Sequence, residues 1–226
     1  MNADQNTVQG LMAVSVVALV LGAMASVSVA APKEVTVSNF AGGDLSGWEE
    51  KVFKDKTGYE LIKSDEGIVL RADSRASASG LFREMTIDLS ETPCLSWSWK
   101  VDGILEGLDE TTKDGDDYAA RVYVIFSGGL LFWNTRALSY VWSGTRPKGS
   151  TWPNAYTNKT VMIAAESGPG RVGQWVRQSR NIREDYRRLI GEDIEHADAV
   201  AIMTDTDNSG QAASAYYGEV RFTASC

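Results

Sequence analysis

The segment Asp205-Thr-Asp207-Asn208-Ser-Gly210 places carboxylate and amide side chains at alternating positions of a turn. This order matches the first half of an EF-hand loop, in which alternate side chains converge on calcium and glycine permits the sharp turn. The twelfth position would be Tyr216, which has no carboxylate to offer, so an EF-hand is excluded. Two interpretations remain: Asp205, Asp207 and Asn208 supply oxygens to a cation or to ligand hydroxyls, or the segment is an ordinary Asx turn.

A second acidic segment, residues 102–117, carries seven carboxylates and one lysine. Like charges at this density repel one another unless water, a cation or a basic neighbour offsets them. A calcium loop and a solvated loop both fit residues 102–113. Asp116 and Asp117 differ from residues 102–113, because they lead directly into a predicted strand and would be held at the end of a sheet.

Further polar residues lie at or near the ends of predicted strands. Arg121 follows Asp117 on the same strand, and Glu166 ends another strand. If the strands are antiparallel neighbours, several of these side chains meet at one end of the fold. We therefore expect one polar site there, formed with Asp205, which binds a cation, a polyhydroxylated ligand, or both.

Aromatic residues are concentrated between Trp133 and Tyr156. Exposed tryptophan and tyrosine rings stack on sugar rings, whereas aromatics that alternate along a strand usually pack in the core. Tyr140 and Trp142 alternate in this way and are expected in the core. Trp133 and Trp152 lie near glycine, asparagine and proline, and they are the candidates for a ligand-contacting surface.

Six arginines give residues 171–188 a local positive charge within an acidic chain. They would either bind a carboxylate or sulfate of a glycan or neutralise the acidic loops. The one histidine, His196, is expected at the surface or at a boundary. No G-x-S-x-G motif occurs and neither cysteine has a nucleophile context, so no catalytic residue is assigned. Paired-carboxylate chemistry stays open, because the spacing of such a pair is set in three dimensions.

Period-two alternation of apolar and polar residues dominates the chain and predicts the elements that position these side chains. About eleven strands separated by clusters of turn residues favour an antiparallel, jelly-roll-like β-sandwich over a parallel sheet. The predicted strands are 34–40, 57–63, 67–73, 79–89, 95–101, 118–127, 138–142, 159–166, 173–180, 198–204 and 216–222. One short helix near residues 182–190 is predicted, with Asn181 as its N-cap, Glu184 completing a capping box and Gly191 ending it.

Residues 11–31 carry no charge and end in small residues that fit signal-peptidase cleavage after Ala30. The preceding residues lack a lysine or arginine, and the alternative is a retained membrane anchor, since 21 uncharged residues can span a bilayer. The prediction is a signal peptide over residues 1–30 and a single domain over residues 31–226. The protein would be periplasmic or secreted, with no membrane contact after cleavage.

Export has a consequence for the two cysteines. Cys94 and Cys226 would lie in an oxidising compartment, where an even count suggests one bridge. Sequence supplies no geometry, so a disulfide and two separate thiols both remain open.

The composition argues against several classes of binding partner and metal site. The 226 residues include 22 basic and 30 acidic ones, a formal net charge of −8, so a nucleic-acid partner is not expected. A single histidine excludes His-rich zinc sites. With 43% hydrophobic residues the chain can bury a core of its own, and we expect a monomer.

Three strings, WSWK at 97–100, DDYAARVYV at 116–124 and IMTDTDN at 202–208, resemble the bacterial family called domain of unknown function 3047. The resemblance covers nearly all of residues 35–224. It implies a secreted or periplasmic single-domain protein and leaves its biochemical role open.

A looser likeness concerns the two ends of the predicted domain. Residues 40–48 and 217–222 are similar to the first and last strands of galactose-binding-like jelly rolls. In those modules such ends flank a structural calcium ion, so the likeness implies Asp44 and Glu219 as metal ligands.

These observations favour an exported, non-catalytic β-sandwich that binds a ligand, carbohydrate above others, together with a calcium ion. One alternative is an enzyme that acts on glycans through carboxylates such as Asp117, Glu166 and Asp205. Another is a structural or interaction protein of the envelope without a small-molecule site. Fold likeness alone does not choose among them.

Overall fold

The computed structural model describes residues 33–128 and 134–226, which form fourteen strands and one α-helix. The strands are β1 (Glu34–Thr36), β2 (Glu49–Lys54), β3 (Gly58–Ser64), β4 (Gly67–Arg75), β5 (Ala78–Asp88), β6 (Cys94–Val101), β7 (Tyr118–Phe126), β8 (Arg136–Ser143), β9 (Thr151–Pro153), β10 (Thr160–Ser167), β11 (Val176–Asn181), β12 (His196–Asp205), β13 (Ala212–Tyr217) and β14 (Arg221–Thr223). The helix α1 is Ile182–Ile190, and short 3₁₀ turns occur at Lys113–Gly115 and Pro169–Arg171.

The strands form two sheets that pack face to face. The first sheet has the order β1-β14-β6-β13-β4-β3, with β11 on the other edge of β6. The second has the order β2-β5-β12-β7-β8-β10-β9. Alternate residues of both sheets point into a common core, as period-two patterning requires. The predicted β-sandwich with one short helix is confirmed.

Aromatic rings join the two sheets at the centre of this core. Trp97 and Trp99 of β6 contact each other edge to face, with ring centroids 5.4 Å apart. Across the sandwich, Trp97 lies 5.3 Å from Tyr140 and Trp99 lies 6.0 Å from Trp142, both on β8. The prediction that Tyr140 and Trp142 belong to the core is confirmed.

The pairing departs from the prediction in one place, because β8 and β10 are parallel. After β8 the chain runs back along the outer edge as β9, which is antiparallel to β10. Strand β10 then fills the place between them. The sheet therefore ends in the order β8-β10-β9, and the parallel strands β8 and β10 are connected through β9 and not through a long crossover helix.

The last predicted strand, 216–222, is divided into β13 and β14. Between them, Gly218 donates its N–H to Ser98 O, and Val220 O accepts the N–H of Val37. The chain therefore bends between two short strands that both pair with β6. Strands β2 and β9 were not predicted, since all six residues of β2 are exposed and β9 has only three residues.

The two ends of the helix follow the sequence signals. The Asn181 side chain accepts the Glu184 N–H at 3.0 Å, and Gly191 ends the helix with φ 85°. Cys94 at the start of β6 is bonded to Cys226, so the disulfide is the alternative that the structure supports.

Two predictions fall on residues that the structure does not describe. These are the signal peptide over residues 1–30 and the surface position of Trp133. The part of the chain that the structure describes contains no helix with the length and hydropathy of a membrane span.

Candidate functional site

One end of the second sheet collects the polar segments that flank its strands. Asp205, the last residue of β12, pairs with Tyr118 at the start of β7 and with Ala78 at the start of β5. Ala78 in turn pairs with Lys54 at the end of β2. Since antiparallel neighbours alternate in direction, the loops before β7 and after β12 lie side by side there.

A groove with a volume of about 370 Å³ opens on the outer face of this sheet end. Val122 and Ile202 point into the core, so the alternating residues Arg121 and Met203 point outward and form the floor. We call this surface the groove. Its lining residues are Phe53, Ala78, Asp116, Arg121, Tyr123, Asn154, Tyr156, Thr160, Met203, Asp205, Asp207 and Asn208.

A buried ion pair lies in the floor of the groove. The side chains of Arg121 and Asp205 are 3% and 4% exposed, and Arg121 Nη2 lies 2.5 Å from Asp205 Oδ2. Arg121 Nη1 donates to the Tyr123 hydroxyl at 2.9 Å, and Nη2 donates to the Asp116 carbonyl oxygen. These contacts hold the guanidinium rigidly beneath the groove.

Several polar atoms of this floor have no hydrogen-bond partner among the described residues. They are Asp116 Oδ1, Asp205 Oδ1 and Arg121 Nε. Burial raises the pKa of Asp205 well above its usual value, and the charges of Asp117 and Asp116 add to the effect against the opposing pull of Arg121. Buried polar groups are normally paired, so these atoms mark a place where a ligand atom, an ion or water belongs.

Three carboxylates meet beside the floor. One oxygen each from Asp117, Asp205 and Asp207 lies within 4.8 Å of the others, close enough to share one cation. We call these three the carboxylate triad. Burial and the charge of Asp117 raise the pKa of Asp207 as well. The arrangement is electrostatically costly without a counter-charge, since like charges at this separation repel.

Asp117 is the anchored member of the triad. Its two carboxylate oxygens accept the N–H groups of Asn208 at 3.2 Å and Ser209 at 2.6 Å. These bonds fix the turn after β12 against the start of β7. Asp205 and Asp207 line the groove, whereas Asp117 is not among its lining residues.

Two exposed aromatic side chains border the groove, Phe53 and Tyr156, which are 64% and 55% exposed. The pairing of β2 with β5 shifts register between Val52 and Lys54, so Phe53 is the extra residue of a bulge. Bulges redirect side chains in this way. The Tyr156 hydroxyl accepts from Asn208 Nδ2 at 2.6 Å, which holds the ring at the rim.

The aromatic candidates predicted from sequence are not these two. Trp152 is only 5% exposed, and its indole N–H donates to the Glu110 carbonyl oxygen at 3.0 Å. It packs on Tyr118 beneath the surface, so the prediction that Trp152 forms an exposed stacking surface is wrong. Tyr156 was counted among the clustered aromatics. Phe53 was missed, although an aromatic residue inside the charged string EEKVFKDK is itself a signal.

Three other predicted site residues lie apart from the groove. Glu166 is bonded to Lys148 Nζ at 3.0 Å and does not line the groove, so the carboxylates Asp117, Glu166 and Asp205 are not assembled as one set. Glu219 accepts from Ser38 Oγ and from the Ala41 N–H.

Asp44 caps its own turn by accepting the Ser46 N–H at 2.7 Å. Both Asp44 and Glu219 thus bind the segment around residues 38–46, and neither belongs to the carboxylate triad.

The arginine-rich segment is mostly paired within the protein. Arg180 and Arg188 bind Asp185, and Arg183 and Arg187 bind Asp193. The neutralising interpretation is the one the structure supports, but the partners are these nearby acids. In the acidic segment 102–117, the buried Glu110 carboxylate accepts the backbone N–H groups that follow β8.

Comparison with known proteins gives one family match. A family model described as "Protein of unknown function (DUF3047)" matches residues 46–221. None of the curated proteins matches the chain.

Among solved structures, the chain is similar to a family 11 carbohydrate-binding module from Clostridium thermocellum in complex with a β-1,3-1,4-mixed-linked tetrasaccharide. The identity is 10%, the TM-score is 0.46, and the match covers 86% of this chain and 98% of that one. It is also similar to the family 30 module of a cellulosomal cellulase of the same organism, with 10% identity, a TM-score of 0.44, and coverage of 85% and 98%.

Proposed function

The chain belongs to the family described as protein of unknown function (DUF3047), and we propose that it is an exported, non-catalytic protein that binds a neutral glycan in the groove. The observation that carries the proposal is the combination of Phe53 and Tyr156, exposed at the rim, with buried polar side chains in the floor. Sugars present apolar C–H faces and polar hydroxyl edges. A groove with exposed rings and inward-facing polar groups fits both.

The polar groups of the groove match hydroxyls well, because they include both donors and acceptors. Asn154 and Asn208 carry amides, whereas Asp116 and Asp205 each keep one oxygen without a partner among the described residues. A sugar hydroxyl donates to one such oxygen and accepts from an amide at the same time. Hydrogen-bonding sites of this kind discriminate strongly between ligands that have the hydroxyl and those that lack it.

The charge of the groove favours a neutral glycan over an acidic one. Asp116, Asp205 and Asp207 line it against one guanidinium, that of Arg121. A uronate or sulfate would bring further negative charge next to these carboxylates and be repelled. The arginines of residues 171–188, which would offer positive charge, lie outside the groove lining.

We also propose that the carboxylate triad binds calcium. The triad offers only oxygen ligands, which calcium prefers, and one oxygen of each carboxylate lies within 4.8 Å of the other two. In addition, Asp205 Oδ1 is buried and has no hydrogen-bond partner among the described residues. Asp117 and Asp205 are buried and cannot turn away from each other. A bound divalent ion would offset their repulsion and stabilise the folded chain by mass action. A melting temperature that is the same in calcium chloride and in excess EDTA would contradict this.

Glycan binding is tested on an array of immobilised neutral and uronic-acid oligosaccharides, probed with the full chain in calcium-containing buffer. We expect signals from neutral oligosaccharides. Phe53→Ala and Tyr156→Ala should each weaken binding to the strongest of them by at least about tenfold, which corresponds to about 1.4 kcal/mol. Val52→Ala is the matched control, since Val52 is 48% exposed on the same strand but does not line the groove.

The outcomes separate the interpretations. Signals from uronic-acid oligosaccharides alone would contradict a neutral ligand. A wild-type signal that survives both aromatic substitutions would contradict binding in the groove. An array without any signal would overturn the proposed function and favour an interaction protein without a small-molecule site.

Export rests on the uncharged residues 11–31 and their small C-terminal residues. The test is N-terminal sequencing of the protein recovered from its native cells and medium. A chain that begins at Ala31 in the periplasm or the medium supports export. An intact chain in the membrane fraction would instead support a retained anchor.

A further inference from the structure

The carboxylate triad and the groove share two residues, Asp205 and Asp207. We propose that a calcium ion held by the triad is also a ligand contact: two neighbouring hydroxyls of the glycan complete its coordination from the groove side. Glycan binding and calcium binding then strengthen each other. This inference rests on the proposed function, and it adds the statement that the sugar contacts the metal directly.

The placement of the triad supports a metal that is open on one side. Asp117 lies behind the groove, and both of its oxygens are held by backbone N–H groups of the turn after β12. Asp205 and Asp207 line the groove, and one oxygen of each lies within 4.8 Å of an oxygen of Asp117. An ion bound by all three carboxylates is therefore reached from the groove.

The number of protein ligands supports the same conclusion. Calcium takes six to eight oxygens. One oxygen from each of the three carboxylates meets at this place, so the triad supplies three of these oxygens. The triad alone thus leaves coordination positions for oxygens from outside it. Vicinal hydroxyls supply two such oxygens with fixed spacing.

A second, independent observation points to a ligand at this place. Asp116 is 5% exposed and lines the groove, and its Oδ1 has no hydrogen-bond partner among the described residues. Its Oδ2 accepts from Asn154 Nδ2 at 2.9 Å, which fixes the carboxylate. A hydroxyl that coordinates the ion becomes a better hydrogen-bond donor, and Asp116 offers it a buried acceptor.

Charge explains why the two ligands should depend on each other. Without the ion, Asp116 and Asp205 pair with the Arg121 guanidinium, and the Lys54 ammonium binds the Asp207 carbonyl oxygen at 2.9 Å. Two positive groups thus face four carboxylates, Asp116 and the triad. The ion removes most of this excess negative charge and aligns the hydroxyls. By thermodynamic linkage, the factor by which calcium tightens glycan binding equals the factor by which the glycan tightens calcium binding.

The experiment has two arms on the full chain. Isothermal titration with calcium chloride alone measures the ion, and the oligosaccharide array is probed in calcium chloride and again in excess EDTA. We expect calcium binding with one ion per chain and a loss of array affinity of at least about tenfold in EDTA. The neutral oligosaccharide with the strongest array signal should lower the calcium dissociation constant by the same factor.

Asp207→Asn tests the geometry, because it removes one triad carboxylate without disturbing the buried pair of Arg121 and Asp205. It should weaken calcium binding, and glycan binding in calcium should fall to the level that the wild type shows in EDTA. Asp114→Asn, an exposed carboxylate of the neighbouring 3₁₀ turn, is the matched control and should change neither. Circular dichroism confirms that both variants are folded.

The results distinguish a failure of the coupling from a failure of the proposed function. Array binding that is equal in calcium and in EDTA would overturn the coupling and leave glycan binding intact. Calcium binding with no reciprocal effect of the oligosaccharide would also overturn it, because a purely structural ion behaves in that way. An array that gives no signal even in calcium would overturn both this inference and the proposed function.

Discussion

The substitution Asp207→Asn should change the stability of the protein in opposite directions with and without calcium. Asp207 is half-buried, and burial together with the charge of Asp117 raises its pKa. Removing its charge from the apo protein removes repulsion from the rest of the triad. The backbone contact of this residue, Lys54 Nζ to Asp207 O at 2.9 Å, is kept in the variant.

The size of the effect follows from the separation. Two unit charges 4.8 Å apart repel by about 1 kcal/mol in water and by about 3 kcal/mol at an effective dielectric constant of about 20. Asp207 is partly solvated, so we take the lower value. The apo variant should be about 1 kcal/mol more stable than the wild type and melt about 2–4 °C higher.

Saturating calcium should reverse the order of stability of the wild type and Asp207→Asn. If the lost carboxylate weakens calcium binding tenfold, the variant forgoes about 1.4 kcal/mol of the stabilisation that saturating calcium gives the wild type. This exceeds the gain from relieved repulsion, so the wild type becomes the more stable protein.

The assay is thermal unfolding followed by circular dichroism, in excess EDTA and in saturating calcium chloride, for the wild type, Asp207→Asn and the control Asp114→Asn. A variant that melts below the wild type in EDTA would refute the repulsion argument. A variant that melts above the wild type by the same margin in both buffers would refute the role of Asp207 as a calcium ligand. The control should stay within about 0.5 kcal/mol of the wild type in both buffers.

Three further predictions concern residues that do not line the groove. Asp193 has its pKa lowered by hydrogen bonds from Arg183 and Arg187, so Asp193→Asn should destabilise the protein at neutral pH. The difference in urea midpoint should shrink as pH falls below about 4 toward the lowered pKa, and a pH-independent difference would contradict this. Replacing Cys94 and Cys226 by serine should lower the free energy of unfolding by about 4 kcal/mol, measured in urea without reductant. Trp152→Phe should cost about 1–3 kcal/mol through the lost indole hydrogen bond and leave array binding unchanged; lost binding at an unchanged melting temperature would contradict its buried role.

Half-buried strands could be predicted from sequence to within a few residues. In β6, buried and half-buried residues alternate, so the pattern itself marks the strand and its inward face. Strands β7 and β12 are buried on both faces over much of their length, and continuous apolar runs mark them instead. Strand β2 carries no such mark, because both of its faces are exposed. Its place in the sheet is set by pairing with β5. The local sequence of a strand does not show which strand it pairs with.

Exposure of single aromatic residues could not be predicted for a related reason. Trp152 lies in a stretch rich in turn residues, which usually indicates the surface, yet β9 pairs with β10 and places the indole against Tyr118. Phe53 is exposed because a bulge turns it out of the β2 register. In both cases tertiary pairing overrides the local signal.

The turn after β12 shows how far local sequence reasoning reaches. Its D-x-D-N-S-G order left two interpretations, cation ligands or an ordinary turn, as if they excluded each other. In the structure the N–H groups of Asn208 and Ser209 bind Asp117, which lies 91 and 92 positions earlier in the chain, and this same contact brings Asp117 toward Asp205 and Asp207. The turn is hydrogen-bonded as a turn, with the Gly210 N–H bound to Thr206 O. Asp205 Oδ1 nevertheless has no hydrogen-bond partner among the described residues and can act as a ligand. The missing information was the pairing of β12 with β7, which supplies the third carboxylate from a distant part of the chain.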